Sequence, residues 1–463
     1  MTEDIDDIEV LDERTEEPHG LSERIVADIL AAIEAEDKPQ LNLALEELHP
    51  ADIADLIEQV SPSERTELLE LMGAIDGDVL SELDESLRDE VIEQLEPHEL
   101  AEAVRELDSD DVVDLIEDLE EEQAEAVMEA LDDADRVVVE QSMSFPEESA
   151  GRLMQREVVM APEHWTVGDA IDFLRNADEL PNQFYHVVVV DPRLKPVGYV
   201  SLGMILGAAR PRPLTDLMEE SFRVVEATMP EEEVAYLFNQ YHLISMPVVD
   251  ENERLIGVIT IDDAMVVLDE EHEEDMLLMA GVGGESSLSD SILETTKQRL
   301  GWLFVNLVTA ILASLVIAMF SDVVDQIVAL AIVMPIVASM GGNAGTQALA
   351  VAVRAMATRD LTVANAKRVI LRETGVGFLN GLVYGSLMGV IGYFWFGSIA
   401  LGGVLMVAMW LNLIVAGTAG IVIPVVLERV KLDPALASAP LVTTVTDVVG
   451  FFAFLTLAQW VLL

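Results

Sequence analysis

From Leu300 onward the chain is a succession of apolar runs that are long and almost free of charge. Leu300 to Ser321, Gln326 to Val353 and Pro434 to Leu463 each reach the roughly 20 residues needed to cross about 30 Å of hydrocarbon. The charge-free stretch Thr374 to Leu427 holds two more, with a turn near Gly397, Gly402 and Gly403. Five membrane spans are therefore expected. Before them the character inverts: of 25 basic and 86 acidic residues, the first 300 positions hold 18 and 79, so the whole formal charge of -61 lies there. Such acidity excludes nucleic acid as a partner, because phosphate binding needs a basic footprint. The absence of cysteine excludes disulfides, thiolate zinc sites and cysteine nucleophiles. A self-repelling surface with only five lysines suits a salt-rich cytoplasm, as in extreme halophiles, and equally suits a regulatory surface that collects divalent cations.

The basic residues of the membrane half set its expected orientation. Lys297 and Arg299 precede the first span. Arg354, Arg359, Lys367, Arg368 and Arg372 join the second and third, and Arg429 and Lys431 join the last two. The opposite loops have none. By the positive-inside rule the acidic half is cytoplasmic and the C-terminus extracellular, in a multi-pass protein of the cell membrane. The first twenty residues are acidic, unlike a cleavable signal peptide.

One ionisable residue, Asp447, stands near the middle of a span. A carboxylate there is costly and is a functional candidate by default. Thr443 and Thr444 lie four and three residues earlier on the same helical face. In Met334-Pro-Ile-Val-Ala-Ser-Met-Gly-Gly-Asn-Ala-Gly-Thr-Gln347, Pro335 and then Gly341, Gly342 and Gly345 are expected to interrupt the helix and free backbone carbonyls. Carbonyls, hydroxyls and a carboxylate are hard oxygen ligands, suited to Mg2+, Ca2+ or Mn2+ rather than zinc or copper. Glycines in membrane helices also serve close packing, and Gly381, Gly385 and Gly389 read that way. Asn306, Asn380 and Asn412 read as interhelical hydrogen-bond donors.

In the acidic half, Leu21 to Ser144 carries apolar residues at i, i+3 and i+4 in short segments, such as Pro50 to Gln59 and Ser109 to Asp118, predicting a helical-repeat domain. Further on, Val189 to Ser201 aligns with Val248 to Thr260, 59 positions later. Each copy reads as helix, strand, turn, strand, helix. The acidic run Asp262 to Asp275 then leads toward the first span. Charge runs are usually solvated faces, but this one joins the repeat to the membrane. There is no HxxxH pair and no Walker A motif, so nothing points to ATP-driven pumping.

The duplicated unit resembles a tandem cystathionine-beta-synthase (CBS) pair, a regulatory module that often binds adenine nucleotides. The Thr-x-x-Asp that serves there for phosphate and ribose is present as Thr260 and Asp263, whereas the first copy has Ser201 and Met204. One site for ATP or another adenine nucleotide is implied. With Phe145-Pro-Glu-Glu-Ser-Ala-Gly-Arg-Leu-Met154, Gly341-Gly-Asn-Ala-Gly-Thr-Gln347 and Pro440-Leu-Val-Thr-Thr-Val-Thr-Asp447, the whole chain resembles the MgtE family of magnesium channels and transporters.

That resemblance implies a multidomain membrane protein, not an enzyme. Its expected parts are an acidic disordered tail (1–20), an all-α helical N domain (21–150), α/β tandem CBS domains (151–269), a connecting plug helix (270–299) and five transmembrane helices (300–463). It implies a homodimer in the lipid bilayer whose pore on the two-fold axis passes Mg2+, with the metal facing Asp447, Thr443 and the carbonyls of Ser339 and Gly342. It also implies closure by cytoplasmic Mg2+ bridging acidic residues, here Asp110, Asp111, Asp114, Asp262, Asp263, Glu271, Glu274 and Asp275. A Na+/Mg2+ exchanger and a non-conducting, membrane-anchored nucleotide sensor are the alternative functions.

Overall fold

The computed structural model describes residues 21–463, apart from 47, 96, 106, 118, 120, 178–179, 182, 220–221, 285 and 287–291. The expected acidic tail, 1–20, lies outside them. The chain divides into two compact units, Met1–Val267 and Leu268–Leu463.

The first unit opens with ten short helices: α1 (Glu23–Glu34), α2 (Lys38–Leu45), α3 (Pro50–Gln59), α4 (Pro62–Met72), α5 (Gly77–Ser81), α6 (Glu85–Gln94), α7 (Pro97–Val104), α8 (Ser109–Glu117), α9 (Glu121–Ala130) and α10 (Asp133–Ser142). Their starts are written locally. Ser22, Asp37, Ser61, Asp76 and Asp132 each accept a backbone N–H one turn into the helix, and proline occupies the first turn of α2, α3 and α4. Helices this short are marginal alone. They are held by one core through Ile29, Leu41, Leu56, Leu68, Leu80 and Leu115.

The repeat follows as β1 (Met160–Pro162), α11 (Val167–Asn176), β2 (His186–Val190), β3 (Pro196–Ser201) and α12 (Leu202–Gly207), then β4 (Val225–Glu226), α13 (Glu231–Tyr241), β5 (Ser245–Val249), β6 (Leu255–Thr260) and α14 (Ile261–Ala280). Each copy is a three-stranded sheet with its first strand parallel to the middle one and its third antiparallel. The middle strands β2 and β5 are buried throughout, which is why they read as nearly unbroken apolar runs. Register repeats as faithfully as sequence. His186 pairs with Ser201 as Ser245 pairs with Thr260, and both ladders shift after their fourth residue.

The connector differs from the single helix expected over 270–299. Helix α14 continues to Ala280 and stops at Gly281, whose φ of 77° is the left-handed conformation that ends helices. The next helix begins at Ile292.

The second unit contains α15 (Ile292–Met319), the short α16 (Ser321–Gln326), α17 (Val328–Ala357), α18 (Ala366–Phe396), α19 (Ile399–Arg429) and α20 (Pro434–Leu462). Five of these, all but α16, are long and apolar enough to cross a membrane. One expectation fails here: α17 is not interrupted, and passes helically through Pro335, Gly341, Gly342 and Gly345. The glycines answer neighbours instead of breaking the helix. A methyl group on Gly341 would meet the Asn412 amide at 2.2 Å, and one on Gly345 would meet Val442 at 2.5 Å. Gly381, Gly385 and Gly389 of α18 pack closely on Trp410, Met406 and Gly402 of α19, as read from their spacing.

Candidate ion path and acidic interface

Two groups of oxygen-bearing residues, one in each unit, are the candidates. In the membrane unit, Thr443 and Asp447 lie one turn apart on α20, and both are half-buried. Gly342 of α17 comes alongside, since a methyl group there would touch the Thr443 side chain at 3.9 Å. Ser339 lies one turn earlier on α17 and is exposed, as is Asn343 one turn beyond Ser339. Thus Gly342 and Thr443 are brought together, with Asp447 and Ser339 flanking them on their own helices.

The hydroxyls along α20 point their protons inward. Thr443 donates to the carbonyls of Ala439 and Pro440, both at 3.1 Å, and Thr444 donates to Pro440. Their lone pairs remain as acceptors. The carbonyl of Gly342 accepts from the Thr346 hydroxyl at 3.2 Å within an unbroken helix. Carbonyls so engaged are poor direct ligands for a bare ion and adequate acceptors for the waters of a hydrated one. Mg2+ dehydrates reluctantly and uses this kind of site. Of the three asparagines, Asn412 is buried and donates to the carbonyl of Val337 at 2.9 Å, whereas Asn306 and Asn380 are exposed.

In the first unit, Asp108, Asp110, Asp111 and Asp114 at the start of α8 face Asp262 and Asp263 at the start of α14. Burial pushes the Asp110 carboxyl well up, and the charge of Asp263 pushes it further. Burial followed by the charges of Asp263, Asp108 and Asp114 raises Asp111 to about 7. Asp263 is pushed up to about 6, chiefly by burial, against the hydrogen bonds it accepts from Thr260. Asp114 is relieved by an ion pair with Arg88 at 2.9 Å. Composition alone does not single this cluster out, because carboxylates abound throughout this half.

Uncharged and cationic contacts clamp the acidic groups in place. Ser109 donates to Glu157 at 2.8 Å and accepts the backbone N–H of Arg156 at 2.9 Å. Gln155 donates to Asp108 at 2.9 Å, and Arg152 pairs with Glu117. Sequence reasoning missed Asp108, Ser109, Gln155 and Glu157; the one available signal was the Phe145 to Met154 joint that leads into them. Glu271, Glu274 and Asp275 sit on the second half of α14.

The duplicated domain adds a small, partly open pocket of about 20 Å³, room for about one water, lined by Glu157, Tyr185, His186, Ser245 and Thr260, among others. His186 and Ser245, 59 residues apart, occupy the same place in the two copies and share a 2.7 Å hydrogen bond. Burial holds the His186 imidazole below its ordinary value. At the start of α14, Thr260 donates its hydroxyl to the Asp263 carboxylate at 2.7 Å and its backbone N–H to the same oxygen at 3.3 Å. Asp263 is therefore shared between the pocket motif and the acidic interface.

The raised pKa values give a pH dependence of definite sign. Between about pH 4 and 7 the folded chain holds protons on these carboxyls that the unfolded chain has released, so this packing is strongest in acid and weakens as pH rises through that window. In buffer free of divalent ions, the full-length protein is expected to melt lower at pH 8 than at pH 6. Asp111→Asn is expected to narrow that gap, and an unchanged gap would remove Asp111 from the interface energetics.

Family models described as the MgtE intracellular N domain, the CBS domain and the MgtE divalent cation transporter match residues 48–148, 150–210 with 214–270, and 334–457. The magnesium transporter MgtE of Bacillus subtilis is 33% identical over 321 residues, covering 69% of this chain and 71% of its own length. That of Thermus thermophilus is 34% identical over 329 residues, covering 71% and 73%. A crystal structure of the cytosolic domain of the Mg2+ channel MgtE in complex with ATP is 31% identical, covers 52% of this chain and 99% of its own, and superposes with a TM-score of 0.49.

Proposed function

Since the chain belongs to the MgtE family of magnesium transporters, we propose that it is a Mg2+-selective channel for magnesium uptake, closed from the cytoplasm by Mg2+ itself. The observation that carries the conducting role is the face formed by Gly342, Thr443 and Asp447, flanked by exposed Ser339 and Asn343. Oxygen-bearing groups of this kind left at the surface of a membrane helix call for a partner or water. A second copy across a two-fold axis supplies both. Two Asp447 carboxylates then balance one divalent charge while the ion keeps part of its water shell. The distribution of basic residues among the loops supports an acidic half in the cytoplasm and a C-terminus outside.

For closure, the supporting feature is the half-buried set Asp110, Asp111 and Asp263. Like charges held together in the folded state repel, and a bound cation that screens them stabilises the compact arrangement preferentially. Asp114, Asp262, Glu271, Glu274 and Asp275 extend the acidic surface available to such ions. Thr260 and Asp263 are the candidates for an adenine nucleotide. With Glu157 and Asp263 beside it, a triphosphate would enter as its magnesium complex, since bare phosphates would be repelled.

Recording from the purified protein in planar bilayers tests the proposal. Discrete Mg2+ openings without a Na+ gradient are the expected result. Flux that strictly follows a Na+ gradient would make it an exchanger, and no flux under any gradient would leave only a sensor.

A further inference from the structure

Asn412 stands in the middle of α19 with no exposed surface. Its Nδ2 donates to the carbonyl of Val337 on α17 at 2.9 Å, while its Oδ1 is buried with no hydrogen-bond partner among the described residues. Two other helices close on the same carboxamide. A methyl group on Gly341 of α17 would lie 2.2 Å from Nδ2, and one on Gly450 of α20 would lie 2.8 Å from it. Three spans thus meet on one amide, and glycine is the residue that lets two of them approach it.

For stability alone the amide is a poor choice. An orphaned buried acceptor carries a desolvation penalty that an apolar side chain would not incur. What the amide supplies is direction. A bond to one particular carbonyl fixes both the rotation and the depth of α17. With Gly341 turned toward α19, Gly342 is the next residue round the helix, and it is the residue found beside Thr443 of α20. With Gly450 turned toward the same amide, Asp447 lies less than one turn before it, on the face shared with Thr443.

We propose that Asn412 is a positioning residue of the ion path, whose carboxamide locks α17 and α20 in the register that sets Gly342, Thr443 and Asp447 side by side. It thereby governs selectivity. The inference rests on the reading of that face as the path.

The test uses the full-length protein in proteoliposomes and reads the permeability ratio of Mg2+ over Na+ together with the melting temperature in detergent. Asn412→Leu keeps the branching and the number of side-chain heavy atoms and removes both polar atoms. It is expected to melt no lower than the wild type while its Mg2+ preference falls at least tenfold. Gly341→Ala drives a methyl group into the amide and is expected to lose both stability and selectivity. The double variant Gly341→Ala/Asn412→Ala relieves that clash without restoring the bond, so stability is expected to return and selectivity is not. Wild-type selectivity in a folded Asn412→Leu protein, or its recovery in the double variant, would overturn the proposal. So would failure of both to fold, since Asn412 would then serve the fold and not the path. A wild-type protein that passes no Mg2+, or an Asp447→Ala variant that keeps its selectivity, would instead refute the path itself.

Discussion

Replacing Asp110, Asp111 and Asp263 together by asparagine is expected to leave the pore conducting at Mg2+ concentrations that close the wild type. The three carboxyls are half-buried, burial raises all three, and the charge of Asp263 raises Asp110 and Asp111 further, so repulsion here is larger than among carboxylates on an open surface. Moving a two-state gate from nearly all open to nearly all closed needs about 5.5 kcal/mol of differential binding. A cation can supply this only where it meets charges that are already confined. Asparagine keeps the shape and removes the confined charge, so the energy that Mg2+ binding could contribute largely disappears. The measurement is open probability in bilayers against Mg2+ on the cytoplasmic side. Closure of the triple variant at the wild-type concentration would mean that this interface is structural. Leaving Asp114 intact keeps its ion pair with Arg88 and guards against simple loss of packing.

Much of this architecture is legible in the residues alone. Five spans are visible because only a membrane tolerates charge-free runs of that length, and the duplicated domain shows in two stretches 59 residues apart that repeat even their strand register. Asp447 stands out because a lone carboxylate inside a span is rare. The course of α17 was not legible. Proline and clustered glycines are compatible both with a broken helix and with close approach, and the deciding partners, Asn412 and Val442, lie on other helices. The connector was misjudged for a related reason: a single glycine at φ 77° ends α14, and an acidic run says nothing about where a helix stops. The acidic interface is legible in composition, while the place of Asp110, Asp111, Asp114, Asp262 and Asp263 follows only from the family resemblance and not from any pattern in the residues. Among 86 acidic residues, the ones that matter are chosen by contacts such as Ser109 with Glu157, 48 residues apart and without any periodic signal.

The loss of Asp447 carries the largest expected effect on conduction. In a two-fold assembly Asp447→Ala removes two negative charges from the least polar part of the path, where a divalent ion needs them most. At an effective dielectric constant of about 20, one unit pair 4 Å apart interacts by about 4 kcal/mol, and water between ion and carboxylate reduces this. Even about 3 kcal/mol retained from both chains corresponds to roughly a hundredfold in occupancy. The neighbouring threonines and carbonyls remain, so the path is expected to stay open to water and to monovalent ions while losing its preference for Mg2+.

Bilayer recordings of wild type and Asp447→Ala under a Mg2+ gradient against Na+ therefore test the central claim most directly. The account predicts a Mg2+-selective current in the first and loss of that selectivity in the second; equal Mg2+ selectivity in both would contradict it.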